Sequence, residues 1–162
     1  MYDRLPPRSV SIGFLAASFL VALAINAMTV SFGAAGNVAD FKNPLNNSPM
    51  TFELQPEEVE TPAIKKFKET GDNDYRRNAD ALADGKNLYA TYCLGCHGAD
   101  GAGKMGPTLI GKDVFYQQML TDPGMFSIIY GGTSGAMTSF HDRGMKQDEM
   151  LRIVAYVRTL DK

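Results

Sequence analysis

The sequence predicts an all-α domain. Apolar residues recur at three- and four-residue steps in two long segments, Ala79–Tyr92 and Gln147–Leu160. A third apolar segment begins at Asp122-Pro123 and is stopped by Gly131-Gly132. No alternation of apolar and polar residues, as is typical of strands, competes with these segments. The 162 residues suffice for one compact domain, an apolar leader and an extension.

The charge of the chain excludes one class of partner. The sequence has 16 basic and 18 acidic residues, a formal net charge of −2, and it stays negative when residues 1–36 are removed. Nucleic-acid binding requires basic patches, so no nucleic-acid partner is expected. A negative surface is compatible with electrostatic steering towards a protein partner.

Residues 1–35 predict an export segment. Two arginines precede an apolar run at 12–25, and Ala22-Leu23-Ala24 has the A-x-A form of a signal-peptidase site. An uncleaved membrane anchor is the alternative, because residues 10–35 are long enough to span a bilayer. The short apolar run and Asn26 favour cleavage. In both cases the positive end stays cytoplasmic, so we expect the remaining chain in the periplasm, with membrane contact only if the segment is retained.

Residues 36–77 predict an irregular arm with one short helix. Residues 36–55 are rich in Asn and Pro and have no apolar period, which is typical of a linker or surface arm. Glu57, Glu58 and Glu60 are expected to form a solvated acidic loop, and the alternative is a contact for a basic partner.

The short helix of the arm has clear end signals. Thr61 can cap it, Pro62 stands at its first position and Gly71 ends it. Ile64 and Phe67 would form its buried edge.

Residues 78–162 are expected to form the main domain. The strongest helical face of Ala79–Tyr92 contains Leu82, Gly85, Tyr89 and Tyr92. A glycine inside a helix costs up to about 1 kcal/mol relative to alanine. We therefore expect another helix to cross closely at Gly85.

The C-terminal segment is the expected crossing partner. Met150, Ile153, Val154 and Val157 form its apolar stripe, and Tyr156 could pack against Gly85 and Tyr89. Acidic residues in its first turn suit the helix dipole. Arg152 and Arg158 are expected to face water.

The stretch Cys93-Leu94-Gly95-Cys96-His97 is the attachment signature of c-type haem. Each thiol can join a porphyrin vinyl group as a thioether, and the histidine can bind the iron as proximal ligand. A zinc site would need a second pair of ligands, and these two cysteines are the only ones in the chain. A redox dithiol would leave His97 and the export segment unexplained. The sequence therefore predicts one covalent haem c.

The second axial ligand must be chosen among several residues. Met105 is too close to His97 in sequence to reach across the ring, whereas Met119, Met125 and Met150 fit apolar helix faces. Met137 is favoured because it lies in a loop between two helices. Met145 is the next candidate and His141 the third, and a histidine ligand would lower the reduction potential.

Pro107 is the expected support of the proximal histidine. A metal-bound histidine normally donates its other ring N–H to a carbonyl, and the Pro107 carbonyl is the candidate acceptor. The alternative is that Gly106-Pro107 only forms a turn.

These motifs resemble class I cytochrome c, an all-α fold around one haem with a histidine and a methionine ligand. More narrowly, the sequence resembles the cytochrome cL family, the electron acceptors of quinoprotein methanol dehydrogenase. The matching stretches are 61–67, 70–71, 88–91, 103–107, 124–126, 129–132 and 148–151. The resemblance implies that Met137 is the second iron ligand. Thr138-Ser139-Phe140 departs from the Gly-Pro type of turn that is usual in this family.

The resemblance also implies a function. A periplasmic electron-transfer protein, not an enzyme, would carry single electrons from a quinoprotein (pyrroloquinoline quinone) methanol dehydrogenase to a small soluble cytochrome c and onward to an oxidase. One alternative is a membrane-anchored cytochrome subunit or electron wire of another respiratory dehydrogenase or oxidase complex. Another is a peroxidase or gas sensor with an open iron, which requires that Met137 does not bind the iron.

Overall fold

The computed structural model describes residues 39–161, and its regular elements are helical. The α-helices are α1 (Pro62–Thr70), α2 (Ala79–Tyr92), α3 (Leu94–His97), α4 (Asp122–Gly131) and α5 (Gln147–Leu160). Short 3₁₀-helices, Asp74–Arg77 and Gln117–Leu120, precede α2 and α4. Within residues 39–161 the β-type pairing is limited to an isolated bridge between Lys42 and Pro49, so the predicted all-α class is confirmed.

The structure describes helices that can be checked for membrane-spanning character only within residues 39–161. Among residues 39–161, no helix has the length and apolar character needed to cross a membrane. The predicted export segment, residues 1–35, lies outside the described part of the chain.

Helices α2 and α5 cross at Gly85, as predicted. A Cβ atom on Gly85 would lie 2.2 Å from the Arg152 carbonyl oxygen and 3.1 Å from the Tyr156 Cβ. The rings of Tyr89 and Tyr156 also pack together, with centroids 5.4 Å apart. The buried face of α2 differs from the predicted one.

The observed buried face of α2 consists of Ala81, Gly85 and Tyr89. Leu82 is half-buried and Tyr92 is exposed. The small residues Ala81 and Gly85 lie one four-residue step apart and let α5 approach the backbone of α2, so the line of closest contact runs through them and Tyr89 and not through Leu82 and Tyr92.

Helix α5 is buried along most of its length. Met150, Ile153, Val154 and Val157 lie in the core, as predicted. Arg158, expected to face water, has a side chain only 11% exposed. Its guanidinium donates to the buried Asp122 carboxylate at 2.7 Å and to the Met119 carbonyl at 2.8 Å. The expectation that Arg158 faces water was wrong, because its partner Asp122 lies 36 residues away in sequence and no local pattern indicates the ion pair.

The arm is exposed over residues 45–49, but two of its aromatic side chains pack into the core. Phe41 is buried, and its ring lies edge-on to Phe52 at 4.8 Å and to Phe67 at 5.3 Å between centroids. Phe52 in turn contacts the rings of Phe126 and Tyr130 on α4. The expected irregular arm at 36–55 is therefore irregular in its described residues, and the anchoring of Phe41 and Phe52 in the core was not predicted. Single aromatic residues separated by polar ones create no periodic signal.

Helix α1 has the predicted ends. Thr61 Oγ1 accepts a hydrogen bond from the Ile64 amide at 3.3 Å, Pro62 opens the helix, and Gly71 closes it with a φ of 77°. Ile64 and Phe67 are its buried residues.

The expected solvated loop at 57–60 has a structural role. Glu58 accepts the Gln147 amide at 2.6 Å through Oε1 and the Gln55 amide at 2.8 Å through Oε2. Glu60 forms an ion pair with Lys68. Because Gln147 is the first residue of α5, Glu58 satisfies a free amide at the positive end of that helix.

Asp148 joins three elements of the fold. Its carboxylate accepts hydrogen bonds from Thr61 at 2.8 Å, from the Tyr75 hydroxyl, and from the Arg152 Nε at 2.7 Å. Burial alone would raise the pKa of Asp148, but these hydrogen bonds outweigh it and hold the pKa below its ordinary value. The ionised form of Asp148 is thus the one that ties α5 to α1 and to the segment before α2.

Candidate haem-binding site

A cavity of about 580 Å³ lies beside the C-x-x-C-H motif, a volume within the usual range of cofactor sites. All five residues predicted for the site line this cavity: Cys93, Cys96, His97, Pro107 and Met137. Most other lining residues are apolar or aromatic, and they include Tyr92, Leu109, Phe115, Tyr116, Met119, Met125, Ile128, Ile129, Phe140, Ile153 and Val157. Cys93 and Met137, which are 44 positions apart in sequence, are therefore brought to one apolar space.

The cysteines are placed by a single helical turn. α3 follows α2 directly, and the Cys96 and His97 amides both donate to the Cys93 carbonyl, at 3.1 and 2.9 Å. Cys93 is half-buried and Cys96 is exposed. Burial, with a smaller contribution from the neighbouring Cys96, raises the pKa of the Cys93 thiol to about 12. A redox dithiol relies on a lowered thiol pKa, so this environment disfavours that alternative.

His97 is buried and its ring is fixed by the next loop. Its Nδ1 lies 2.8 Å from the Pro107 carbonyl oxygen, the contact that the sequence predicted. With the proton on Nδ1, Nε2 keeps a free lone pair for a metal ion. Among residues 39–161, no group of three His, Cys, Asp or Glu side chains could hold a metal ion by itself. A single imidazole nitrogen beside an apolar cavity suits an iron that is already held by a porphyrin.

Gly106 is a site residue that sequence reasoning did not identify. A Cβ there would lie 2.8 Å from His97 Cε1 and 3.1 Å from Nδ1, so the imidazole occupies the space of the missing side chain. The Gly106 amide donates to the Cys96 carbonyl at 2.8 Å, which holds the loop against the motif. The sequence signal that could have identified Gly106 was its position directly before Pro107.

Met137 lies in the loop of residues 132–139, here called the methionine loop. Gly132 has a φ of 72°, and a Cβ on it would meet the Ser139 amide nitrogen at 2.5 Å and the Met137 carbonyl oxygen at 2.8 Å. The Thr133 amide donates to the Met137 carbonyl at 2.8 Å. The loop therefore folds back on itself and closes at Gly132, with Met137 half-buried at the cavity.

The two lower-ranked ligand candidates do not line the cavity. Met145 is buried in the core. The His141 ring stacks on Tyr130, with centroids 4.4 Å apart and planes 21° apart. Met105, Met119 and Met125 do line the cavity, the first at its exposed rim and the others in its buried wall. The identity of the second ligand stays a prediction, and Met137 remains our choice.

Comparisons with known proteins point in one direction. Residues 80–157 match a family model described as cytochrome c oxidase, cbb3-type, subunit III. The chain is 44% identical over 101 residues to cytochrome c-L of Methylorubrum extorquens, which covers 62% of this chain. It spans about half, 51%, of the length of that curated relative.

Two solved structures are similar over most of the described chain. Cytochrome cL from Methylophaga aminisulfidivorans MPT superposes with a TM-score of 0.70 and 32% identity, covering 75% of this chain and 80% of the other. Cytochrome cL from Hyphomicrobium denitrificans gives a TM-score of 0.69 and 35% identity, covering 76% and 74%. At this identity both the fold and the sequence relate the chains.

Proposed function

This chain belongs to the cytochrome cL family, and from that premise we propose that it carries single electrons between proteins. The family implies a covalently bound haem c. We propose that electrons arrive from a quinoprotein methanol dehydrogenase with a pyrroloquinoline quinone cofactor and leave to a small soluble cytochrome c, which passes them to an oxidase. The observation that carries this proposal is the convergence of Cys93, Cys96, His97 and Met137 on one apolar cavity.

The residues of the cavity fit the parts of a haem site. When bound, haem c supplies an iron that alternates between the ferric and ferrous states. Cys93 and Cys96 would hold the porphyrin through thioether bonds. His97 would bind the iron through Nε2, while its Nδ1–H donates to the Pro107 carbonyl, which fixes the ring and makes it a stronger ligand. The Met137 thioether would favour the ferrous state, and the apolar walls exclude water.

Electron exchange in this proposal needs only an accessible edge. The side chains around the cysteines reach the surface, because Cys96 is exposed and Tyr92 and Leu94 are 47% and 41% exposed. A partner that docks there brings its own redox centre close without a substrate pocket or an acid–base pair. Such encounters use small interfaces that dissociate quickly. We place the protein in the periplasm on the strength of the export segment.

The donor is tested by stopped-flow reduction of the ferric holoprotein by purified quinoprotein methanol dehydrogenase. We expect the observed rate to saturate with dehydrogenase concentration and to fall as salt is added, because charged surfaces steer the encounter. Inertness towards this enzyme would remove the proposed donor but leave the haem site standing.

The methionine ligand is tested separately. The Met137→Ala variant should lose the ferric methionine–iron charge-transfer band, whereas Met145→Leu should keep it because Met145 lies in the core away from the cavity. A band that survives in Met137→Ala would show that another residue binds the iron.

The family model favours a second candidate, a cytochrome subunit of a membrane oxidase. The model matches only residues 80–157, which correspond to the segment from α2 to α5. The cytochrome cL structures cover 75% and 76% of the chain, so the likeness extends beyond that segment. The two candidates are separated by N-terminal sequencing of the native protein, since an intact Met1 in the membrane fraction would support the oxidase subunit.

A further inference from the structure

The methionine loop is closed at its stem by the end of α4 and the residues after Met137. The Ser139 hydroxyl donates to the Tyr130 carbonyl at 2.7 Å, and the Phe140 amide donates to the Ile129 carbonyl at 3.1 Å. Immediately beyond these bonds, the His141 ring stacks on the Tyr130 ring. Tyr130 and His141 therefore stand at the two sides of the stem.

Residues 53–58 of the arm hold both sides of this stem and are here called the strut. The Glu53 amide donates to the Tyr130 hydroxyl at 3.0 Å. The Gln55 side-chain amide donates to His141 Nδ1 at 2.9 Å and also to the His141 carbonyl. The strut thus contacts the start of the loop through one aromatic ring and its end through a histidine.

The strut is itself anchored to α5. Gln147 is fully buried, and its side-chain amide donates to the Glu53 carbonyl at 2.7 Å. Its backbone amide donates to Glu58, which also accepts the Gln55 amide. The contacts run from the first turn of α5 through the strut to the methionine loop, so the loop is fixed to a rigid helix.

We propose that Gln55 and His141 are positioning residues for Met137, the second iron ligand, an inference that rests on the proposed function. The methionine loop contains two glycines, and residues 133–138 make few backbone bonds, so ordering it costs conformational entropy. His141 follows Met137 by four residues, and the stem bonds of Ser139 and Phe140 lie between them. An opening of the loop that releases this stem also breaks the Gln55–His141 hydrogen bonds, so these bonds oppose it. The strut keeps the Met137 thioether at the iron.

The test is competition by imidazole for the ferric iron of the holoprotein, because imidazole can bind only when the methionine has left. Gln55→Leu removes both hydrogen bonds to His141 and should raise the association constant of imidazole about tenfold. His141→Phe keeps a ring to stack on Tyr130 and loses one bond, so a rise of about threefold is expected. Asn46→Ala is the control: it removes side-chain bonds within the arm, to Ser48 alone, and should leave the binding constant unchanged.

The outcomes separate this inference from the proposed function. An unchanged imidazole affinity in both Gln55→Leu and His141→Phe overturns the role of the strut, as does an equal rise in Asn46→Ala. The two variants act through different atoms, so the failure of one to fold leaves the other as the test. A parent protein without covalent haem or without a methionine–iron band would instead contradict the proposed function itself.

Discussion

Replacing Gly85 by alanine should destabilise the protein, although alanine is the better helix former. The new Cβ would lie 2.2 Å from the carbonyl oxygen and 2.8 Å from the carbonyl carbon of Arg152, and neither backbone atom can rotate away. α5 would have to move by about 1 Å, which loosens the Tyr89–Tyr156 contact. Overpacking of this kind costs about 1–3 kcal/mol, against a helix-propensity gain of up to about 1 kcal/mol. Because the contact is with backbone atoms, the cost falls in the upper part of that range, about 2–3 kcal/mol, and we expect a net loss of about 1–2 kcal/mol.

The free energy of unfolding is measured by equilibrium guanidinium chloride denaturation of the holoprotein, followed by far-ultraviolet circular dichroism. Ala83→Gly provides the control, because Ala83 is exposed on the same helix. There the propensity effect acts alone, and glycine should cost about 1 kcal/mol. If Gly85→Ala proved as stable as the parent or more stable, the close crossing of α2 and α5 would not be what requires glycine.

Two further substitutions follow from the site and from the fold. Asp148→Asn should lower stability at pH 7 by about 2 kcal/mol, because charged hydrogen bonds are lost. The pKa of Asp148 is lowered in the folded protein, so its contribution to stability is complete above the unfolded pKa of about 3.9 and disappears as the pH falls through the folded pKa. The free energies of unfolding of parent and variant, measured by urea denaturation, should therefore converge in acid. A stability difference that persists at low pH would contradict this account. Gly106→Ala should turn the His97 ring and shift the ferric electron paramagnetic resonance g-values, because the added Cβ would lie 2.8 Å from the imidazole. Gly95→Ala is the control, because a Cβ on Gly95 would meet no heavy atom within 4 Å, and this variant should leave the spectrum unchanged. Equal spectra for Gly106→Ala and Gly95→Ala would refute the steric argument.

Local signals predicted a large part of the fold. The ends of α1 were read from Thr61, Pro62 and Gly71, since caps act within one turn and the residue types carry the geometry. The crossing at Gly85 was also predictable, because a glycine inside a good helix needs a reason that outweighs its cost. Such signals are local, so they can be read without knowledge of the tertiary structure.

Other features depended on pairs of residues far apart in sequence. Arg158 reads as an exposed residue until buried Asp122 is placed beside it. Phe41 and Phe52 read as parts of a loop until α4 presents Phe126 to them. Glu58 reads as one of three solvated acids until the first amide of α5 lies against it. In each case one partner carries no sign of the other.

By itself, the sequence determined the chemistry: a C-x-x-C-H motif has one dominant use, and a loop methionine after Gly131-Gly132 was already the favoured second ligand. Only the tertiary structure decided that Met145 and His141 lie away from the cavity, that Gly106 makes room for the His97 ring, and that the arm reaches the stem of the methionine loop. The reason is physical. Bond-forming residue types are set by the sequence, whereas the distance between two side chains is set by how the whole chain packs.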